Sequence, residues 1–307
     1  MSVDENATRV DRQRALSPLL DLPEFRPLSS RVSVEFGAAS HAGKVRHINE
    51  DHYLVVRIGR SQETLATTLT DAEVPDKFDE SGYAMVVADG LGGAGAGGVA
   101  SRIAIGKLVN LAIHYGRWNV RVDARAAFEI LERLEWCYGR VNEFVQLKSH
   151  VSPELAGMAT TLTAAYSAGD ELFLAHVGHS RAYLFRDGEL ILLTRDQTVD
   201  NRLAAAKRPI PVAYATDDPG TILTDTIGGH DGAPQVQLRQ HRLCHGDCVL
   251  LCSDGLTSAV DDDRIAQVLT ARRRLDDTCR ALIDLALENG GADNITAVVG
   301  QYDIPAG

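Results

Sequence analysis

The apolar run Tyr83-Ala84-Met85-Val86-Val87-Ala88 stops at a carboxylate, Asp89, and Gly90-Leu91-Gly92-Gly93 follows at once. An unpaired charge is not tolerated inside a buried strand, so Asp89 marks the strand's end. The glycines make a turn, and Val99, Ala100, Ile103, Ala104, Leu108, Leu111 and Tyr115 then recur at helical spacing. A strand end is a rigid platform for a side chain. Three other acidic clusters stand at strand ends or strand-to-loop corners: Asn49-Glu50-Asp51, Ser253-Asp254-Gly255 and Ala292-Asp293-Asn294. Hard divalent cations take oxygen ligands, which carboxylates and backbone carbonyls supply. Gly90 lets its carbonyl approach an ion with no side chain in the way. Each Asp-Gly or Asp-Asn pair alone is better read as an ordinary turn. Four such sites, with Arg46 beside one of them, are read here as converging on two metal ions.

The rest of the chain sets the fold class. Val32, Val34 and Phe36 alternate as a strand within 31–41, and Tyr53-Leu54-Val55-Val56 reads as a second. Residues 59–80 are polar and read as a surface insertion. Ala127, Ile130, Leu131, Leu134, Tyr138, Val141 and Val145 mark a second, long helix. Short strands follow from Ala159 to Tyr166, Glu171 to Val177, Ala182 to Phe185 and Leu190 to Leu193. Gly169-Asp170 and Asp187-Gly188 are hairpin turn signals between them. Residues 195–235 are irregular. A strand from Val249 to Cys252 comes next, then helices near 261–269 and 276–287 with Asp261 and Asp276 as N-caps, then a last strand over 294–301. This order is not a regular strand–helix alternation. It predicts antiparallel sheets with helices packed outside, an α+β arrangement. Residues 1–30 carry Pro18, Pro23 and Pro27 without a sustained period and read as an N-terminal extension, disordered in part or draped on a single domain spanning 31–305.

Composition removes several function classes. A net charge of −11 argues against a nucleic-acid partner. There is no run of about 18 apolar residues, so no membrane span is expected, and no secretory signal is visible. Five cysteines, an odd number, favour reduced thiols and a cytoplasmic location. Cys244, Cys248 and Cys252 are regularly spaced and invite zinc. However, Cys248 and Cys252 fall on one face of the apolar run 248–252 and read as core. The glycines from Gly90 to Gly95 match a dinucleotide-binding fingerprint. That reading needs a second parallel strand ending in an acid about 20 residues on, and the next element is instead a second helix.

Taken together, six stretches resemble the metal-dependent serine/threonine protein phosphatases of the type 2C family. They are Arg46-His47-Ile48-Asn49-Glu50-Asp51, Val87-Ala88-Asp89-Gly90-Leu91-Gly92-Gly93, Gly157-Met158-Ala159-Thr160-Thr161-Leu162, Val177-Gly178-His179-Ser180-Arg181-Ala182-Tyr183-Leu184, Leu251-Cys252-Ser253-Asp254-Gly255-Leu256 and Asp293-Asn294-Ile295-Thr296. They run in family order. The resemblance implies a central β-sandwich of two antiparallel sheets flanked by α-helices on both outer faces, with the catalytic domain over 31–305. It implies hydrolysis of phosphoserine and phosphothreonine by in-line attack of a hydroxide bridging two Mn or Mg ions. Asp89 would bridge the ions, Asp254 and Asp293 would complete the first site, and Glu50 and the Gly90 carbonyl the second, with Asp51 acting through water. Arg46 would hold the substrate phosphate, and Asn294 would orient a phosphate or a metal-bound water. Phosphorylated proteins would be the substrates, a serine/threonine kinase the counterpart, and the protein a bacterial-type monomer.

Three features depart from the family pattern. His179 stands where many relatives have an aspartate that binds a third, weaker metal. It could ligate manganese, and is equally read as a hydrogen-bonded structural histidine. Leu91 occupies a place where some relatives carry a histidine proposed as general acid, and Gly98 a place where an acid is common. The segment 195–235 corresponds to a flap beside the active site. Its Arg202, Lys207 and Arg208 either steer acidic or phosphorylated substrates or, the weightier reading, form a solvated surface. His179 also supports an alternative, a catalytically weak fold used as a regulatory or phosphoprotein-binding module.

Overall fold

The computed structural model describes residues 31–70, 73–93, 95–116, 124–207, 220–229, 232–271 and 273–305. The extension expected over 1–30 and Arg208 lie outside them. Among the described residues the strands are β1 (Ser33–His41), β2 (His52–Glu63), β3 (Lys77–Ala88), β4 (Gly90–Leu91), β5 (Ala159–Thr160), β6 (Leu162–Ala168), β7 (Glu171–Val177), β8 (Arg181–Arg186), β9 (Glu189–Leu192), β10 (Gln237–Arg242), β11 (Cys248–Cys252) and β12 (Ile295–Asp303). The α-helices are α1 (Ala96–Tyr115), α2 (Ala124–Val151), α3 (Val199–Ala205), α4 (Asp254–Thr257), α5 (Asp262–Thr270) and α6 (Leu275–Glu288).

Two five-stranded sheets form, ordered β1-β12-β11-β8-β9 and β10-β7-β6-β3-β2, and a two-stranded ribbon pairs β4 with β5. Every strand pair is antiparallel. The central strands are buried on both faces, which is why they read as unbroken apolar runs rather than alternating ones. In β3, Val86 and Ala88 pack toward α1 and α2, while Met85 and Val87 pack between the sheets. In β11, Val249 and Leu251 face inward, and Cys248, Leu250 and Cys252 face α5 and α6. The result is helix, sheet, sheet, helix in four layers. Each fully buried Val or Leu contributes about 1.5–3 kcal/mol.

Several sequence expectations are corrected. Residues 59–80 are not an insertion of loop alone. The β2–β3 ladder runs from His52↔Ala88 out to Glu63↔Lys77, and its far end is exposed, so polar residues do not interrupt it. The strand expected from Ala159 divides: β5 leaves the sheet to pair with β4, and β6 carries on within it. β10, with Leu238 as its one apolar residue, is an edge strand beside β7 that hydrophobic patterning does not detect. Asp261 does cap α5, its side chain accepting from the Arg264 N–H at 2.8 Å. Asp276 is not a cap; α6 begins at Leu275, and Asp276 sits in the first turn, where a negative charge still complements the helix dipole. The β8–β9 turn has Asp187 and Gly188 at φ 53° and 88°, the left-handed pair of a type I′ hairpin.

By length and composition α1 is apolar enough to cross a bilayer, which the sequence reading missed. Its small residues Ala96, Ala100 and Ala104 are instead buried against the sheet. Burial pushes the thiols of Cys248, Cys252 and Cys279 up to about 12, so they pack as neutral groups.

Candidate metal centre

The register brings the acidic clusters to one end of the sandwich. His52 pairs with Ala88, so the start of β2 and the end of β3 lie side by side. His41 pairs with Ile295, and Cys252 pairs with both Ala297 and Arg181, which gathers the ends of β1 and β11 with the starts of β12 and β8. Asp51 then joins the two sheets. Its Oδ2 accepts from Ser253 Oγ at 2.6 Å and from Thr296 Oγ1 at 2.7 Å.

Asp89 is fixed through its backbone. Its N–H donates to Thr161 Oγ1 at 3.0 Å, and its carbonyl accepts from the Thr161 N–H at 2.9 Å and Thr160 Oγ1 at 2.7 Å. Thr161 Oγ1 is in turn 2.8 Å from Ser180 Oγ, which ties the β3 end to the β7–β8 loop. That loop carries His179. Its Nε2 lies 3.4 Å from Asp254 Oδ2 and its Nδ1 lies 3.9 Å from Asp89 Oδ2. One donor atom from each of Asp89, His179 and Asp254 falls within 4.8 Å of the others.

Glu50 is held by the start of α1. Its Oε1 accepts from the Gly98 N–H at 3.1 Å, placing the carboxylate at the positive end of the helix dipole. Its carbonyl accepts from Ser101 Oγ at 2.7 Å. Gly90 lies against this loop: a Cβ built there would stand 2.7 Å from the Glu50 carbonyl oxygen and 2.4 Å from the Gly97 carbonyl carbon. The glycine run therefore serves a backbone-to-backbone contact between β4 and α1, not a pyrophosphate.

Arg46 forks onto Asp293, Nε to Oδ1 at 2.9 Å and Nη2 to Oδ2 at 2.8 Å. The Asp293 hydrogen bond and charge raise the guanidinium's pKa, with smaller contributions from Asp89 and Glu50. The Asn294 amide is committed to the backbone. Its Oδ1 accepts from the Glu50 N–H, and its Nδ2 donates to the carbonyls of Ala42 and Ile48. The amide is engaged with the backbone and ties the β1–β2 loop to the start of β12, which leaves no free donor to orient a phosphate. The sequence reading also missed the hydroxyls of Thr160, Thr161, Ser253 and Thr296. They lie inside the quoted motifs, but a hydroxyl beside an acid has no spacing signature of its own.

The electrostatics fit divalent cations. Burial first, then the charges of Asp51 and Asp254, hold the Asp89 carboxyl well above the usual carboxylate range. Asp51 is 4% exposed and is pushed up to about 6, chiefly by burial, with Ser253 and Thr296 pulling the other way. Asp51 Oδ1 and His179 Nδ1 are buried without a hydrogen-bond partner. Orphaned donor atoms inside a ring of mutually repelling carboxylates are what bound cations would satisfy.

This gives a pH prediction. Asp51 has a folded pKa of about 6 against a reference of 3.8, so the folded chain binds the extra proton between them. Stability in chelator should fall as pH rises from about 4 to about 6, and the fall should be smaller in Asp51→Asn. Thermal unfolding of both proteins across that window measures it. Equal slopes would show that Asp51 is not the group responsible.

The sequence pattern of the family described as Protein phosphatase 2C matches residues 58–287. The chain is 36% identical over 217 residues to serine/threonine protein phosphatase PstP of Mycobacterium tuberculosis, covering 71% of this chain and 40% of that protein, so it spans well under half the length of PstP. It is 30% identical over 262 residues to serine/threonine phosphatase stp of Listeria monocytogenes, covering 85% of this chain and 93% of that one. The crystal structure of the PstP catalytic domain in complex with two manganese ions superposes with a TM-score of 0.66 at 31% identity, over 89% of this chain and 99% of that one.

Proposed function

The chain belongs to the protein phosphatase 2C family, and from that premise we propose that it is a metal-dependent hydrolase of phosphoserine and phosphothreonine in proteins. The observation that carries the reading is the meeting of the Asp89, Asp254 and His179 donor atoms within 4.8 Å where the two sheets end. Asp89, Asp254 and Asp293 would hold one manganese or magnesium ion. Asp89, Glu50 and the Gly90 carbonyl would hold a second, with Asp51 reaching it through water. Two such ions supply an activated water and neutralise charge on a phosphoryl group.

The chain's own residues do the rest. Arg46 presents a planar fork, and its side chain is 58% exposed, so a phosphate can take the place that Asp293 holds. Thr160 and Thr161 fix Asp89 through its backbone and leave its carboxylate free for ligation. Ser253 and Thr296 orient Asp51 so that Oδ1 remains open. Leu91 offers no proton, so water protonates the departing serine or threonine oxygen. A serine/threonine kinase is the enzyme's counterpart, and the reduced cysteines suit a monomer working in the cytoplasm.

The test is phosphate release from a phosphothreonine peptide with manganese, with magnesium and with chelator. Release with either ion that chelator stops is expected. A folded, metal-loaded protein that releases none would overturn the reading in favour of a phosphoprotein-binding module.

His179, with Nε2 3.4 Å from Asp254 Oδ2, would be the nitrogen ligand of a weaker third ion shared with Asp254. An imidazole suits manganese and disfavours magnesium. His179→Asp should therefore raise the magnesium-supported rate several-fold, and nitrogen hyperfine coupling should disappear from the manganese electron paramagnetic resonance spectrum. If the parent spectrum carries no such coupling, His179 is structural.

A further inference from the structure

Beside the metal centre lies a polar hollow of about 230 Å³ whose lining includes Arg195, Asn201, Arg202, Thr224, Asp225 and Gln237. Its wall is the stretch that follows β9. Thr198 bridges Leu223, the Val199 N–H donates to the Ile222 carbonyl, and the Thr224 N–H donates to the Gln197 carbonyl. Gln197 fastens this wall to the catalytic end. Its N–H donates to the Gly178 carbonyl and its Oε1 accepts from the Gly178 N–H, both at 2.8 Å. Gly178 is the neighbour of His179, so the hollow opens next to the loop that reaches Asp89 and Asp254.

The hydrogen-bond groups in the hollow are unevenly satisfied. Asp196 is held by Arg181, with Nη2 to Oδ2 at 2.7 Å and Nε on both oxygens at 3.1 Å. Asp225 accepts from the Gln235 N–H and from Thr224 Oγ1. The Asn201 amide donates to the Asp196 carbonyl and to Thr198 Oγ1, and the Gln197 amide donates to the Gln235 carbonyl. Among the described residues the Arg195 guanidinium donates through Nη2 alone, to the Asn201 carbonyl at 2.7 Å. The exposed Arg202 guanidinium makes no hydrogen bond or ion pair among the described residues. Both carboxylates of the hollow thus already accept hydrogen bonds, while its two guanidiniums keep N–H groups without a partner among the described residues.

We propose that this hollow is a subsite for an anionic side chain of the substrate, a carboxylate or a second phosphate, lying close in sequence to the phosphoresidue being hydrolysed. The proposal rests on the phosphatase reading and narrows its substrate class to phosphoproteins with acidic or multiply phosphorylated segments. Guanidinium forks match both groups, and two together favour an anion over a neutral amide.

The experiment uses phosphothreonine peptides in which one glutamate is walked along either side of the phosphoresidue, and a parallel set with phosphoserine in its place. At one favoured position KM should fall about three- to tenfold below that of the neutral peptide. Arg202→Ala and Arg195→Ala/Arg202→Ala should abolish that preference while leaving hydrolysis of p-nitrophenyl phosphate, which has no flanking residues, unchanged. Arg202→Glu should shift the preference to a peptide carrying lysine there. The glutamate and phosphoserine sets separate the two sources of the anion. The same peptides, labelled with a fluorophore, are also bound in chelator and followed by anisotropy, so the subsite is tested even if turnover is absent. A protein that hydrolyses nothing but still discriminates by anisotropy would remove the phosphatase reading and keep the subsite. Equal KM and equal binding for acidic and neutral peptides, or a preference that survives in the double variant, would overturn it.

Discussion

Asp89→Asn should lower metal-dependent phosphate release by about a thousandfold or more, because it withdraws the carboxylate that would touch both ions of the proposed centre and with it several kcal/mol of charge stabilisation. The same substitution should not unfold the protein. Asp89 is a buried carboxylate held up in pKa by burial and by Asp51 and Asp254, and an amide of the same shape relieves that repulsion. The backbone bonds to Thr160 and Thr161 do not involve the replaced atoms. In chelator the variant should therefore melt at or above the parent's temperature. With excess manganese the parent should gain stability by ligand linkage and the variant should gain much less. A variant within tenfold of the parent's metal-dependent rate would remove Asp89 from the centre.

Gly97→Ala should be among the most damaging small substitutions in the chain, and its neighbour Gly98→Ala among the most benign. A Cβ on Gly97 would lie 2.5 Å from the Gly90 carbonyl carbon and 2.6 Å from the Leu91 nitrogen. Both are backbone atoms in the ribbon that carries the Gly90 carbonyl, so neither can turn aside. Overpacking of this kind costs roughly 3 kcal/mol, and it would push α1 away from β4 and disturb Glu50 as well. A Cβ on Gly98 meets nothing closer than Glu50 Cα at 3.6 Å, an ordinary contact. Alanine there should gain up to about 1 kcal/mol of helix propensity. Urea unfolding of both variants checks the contrast; equal midpoints would refute it.

The recognisable part of the sequence is the part under chemical constraint. Carboxylates at strand ends, glycines where backbones touch, and apolar runs buried on both faces leave marks in the residue pattern. Asp89, Glu50 and Asp254 could be picked out for that reason. What escaped notice lacks such a mark. Along β2 every residue from Arg57 through Glu63 is exposed, so nothing imposes alternation on that stretch. β10 is held by backbone bonds to β7 and needs only Leu238 to be apolar. Asn294 carries a motif position whose type was legible and whose partners were not, since nothing near it in sequence shows that Ala42, Ile48 and Glu50 will surround its amide.

The placement of β12 has a consequence for how the protein comes into being. β1, near the start of the domain, pairs with β12 alone, and β12 lies between β1 and β11. During synthesis β1 must wait, unpaired, until nearly the whole domain has been made, and closing so long a loop is slow. Asn294 and Thr296 are delivered by the same late segment, and they fix the backbone of Glu50 and the carboxylate of Asp51. A chain stopped before Asp293 would contain Arg46, Glu50, Asp51, Asp89 and Asp254 and still have no assembled centre. The acidic cluster is therefore completed by the last strand of the domain to be made.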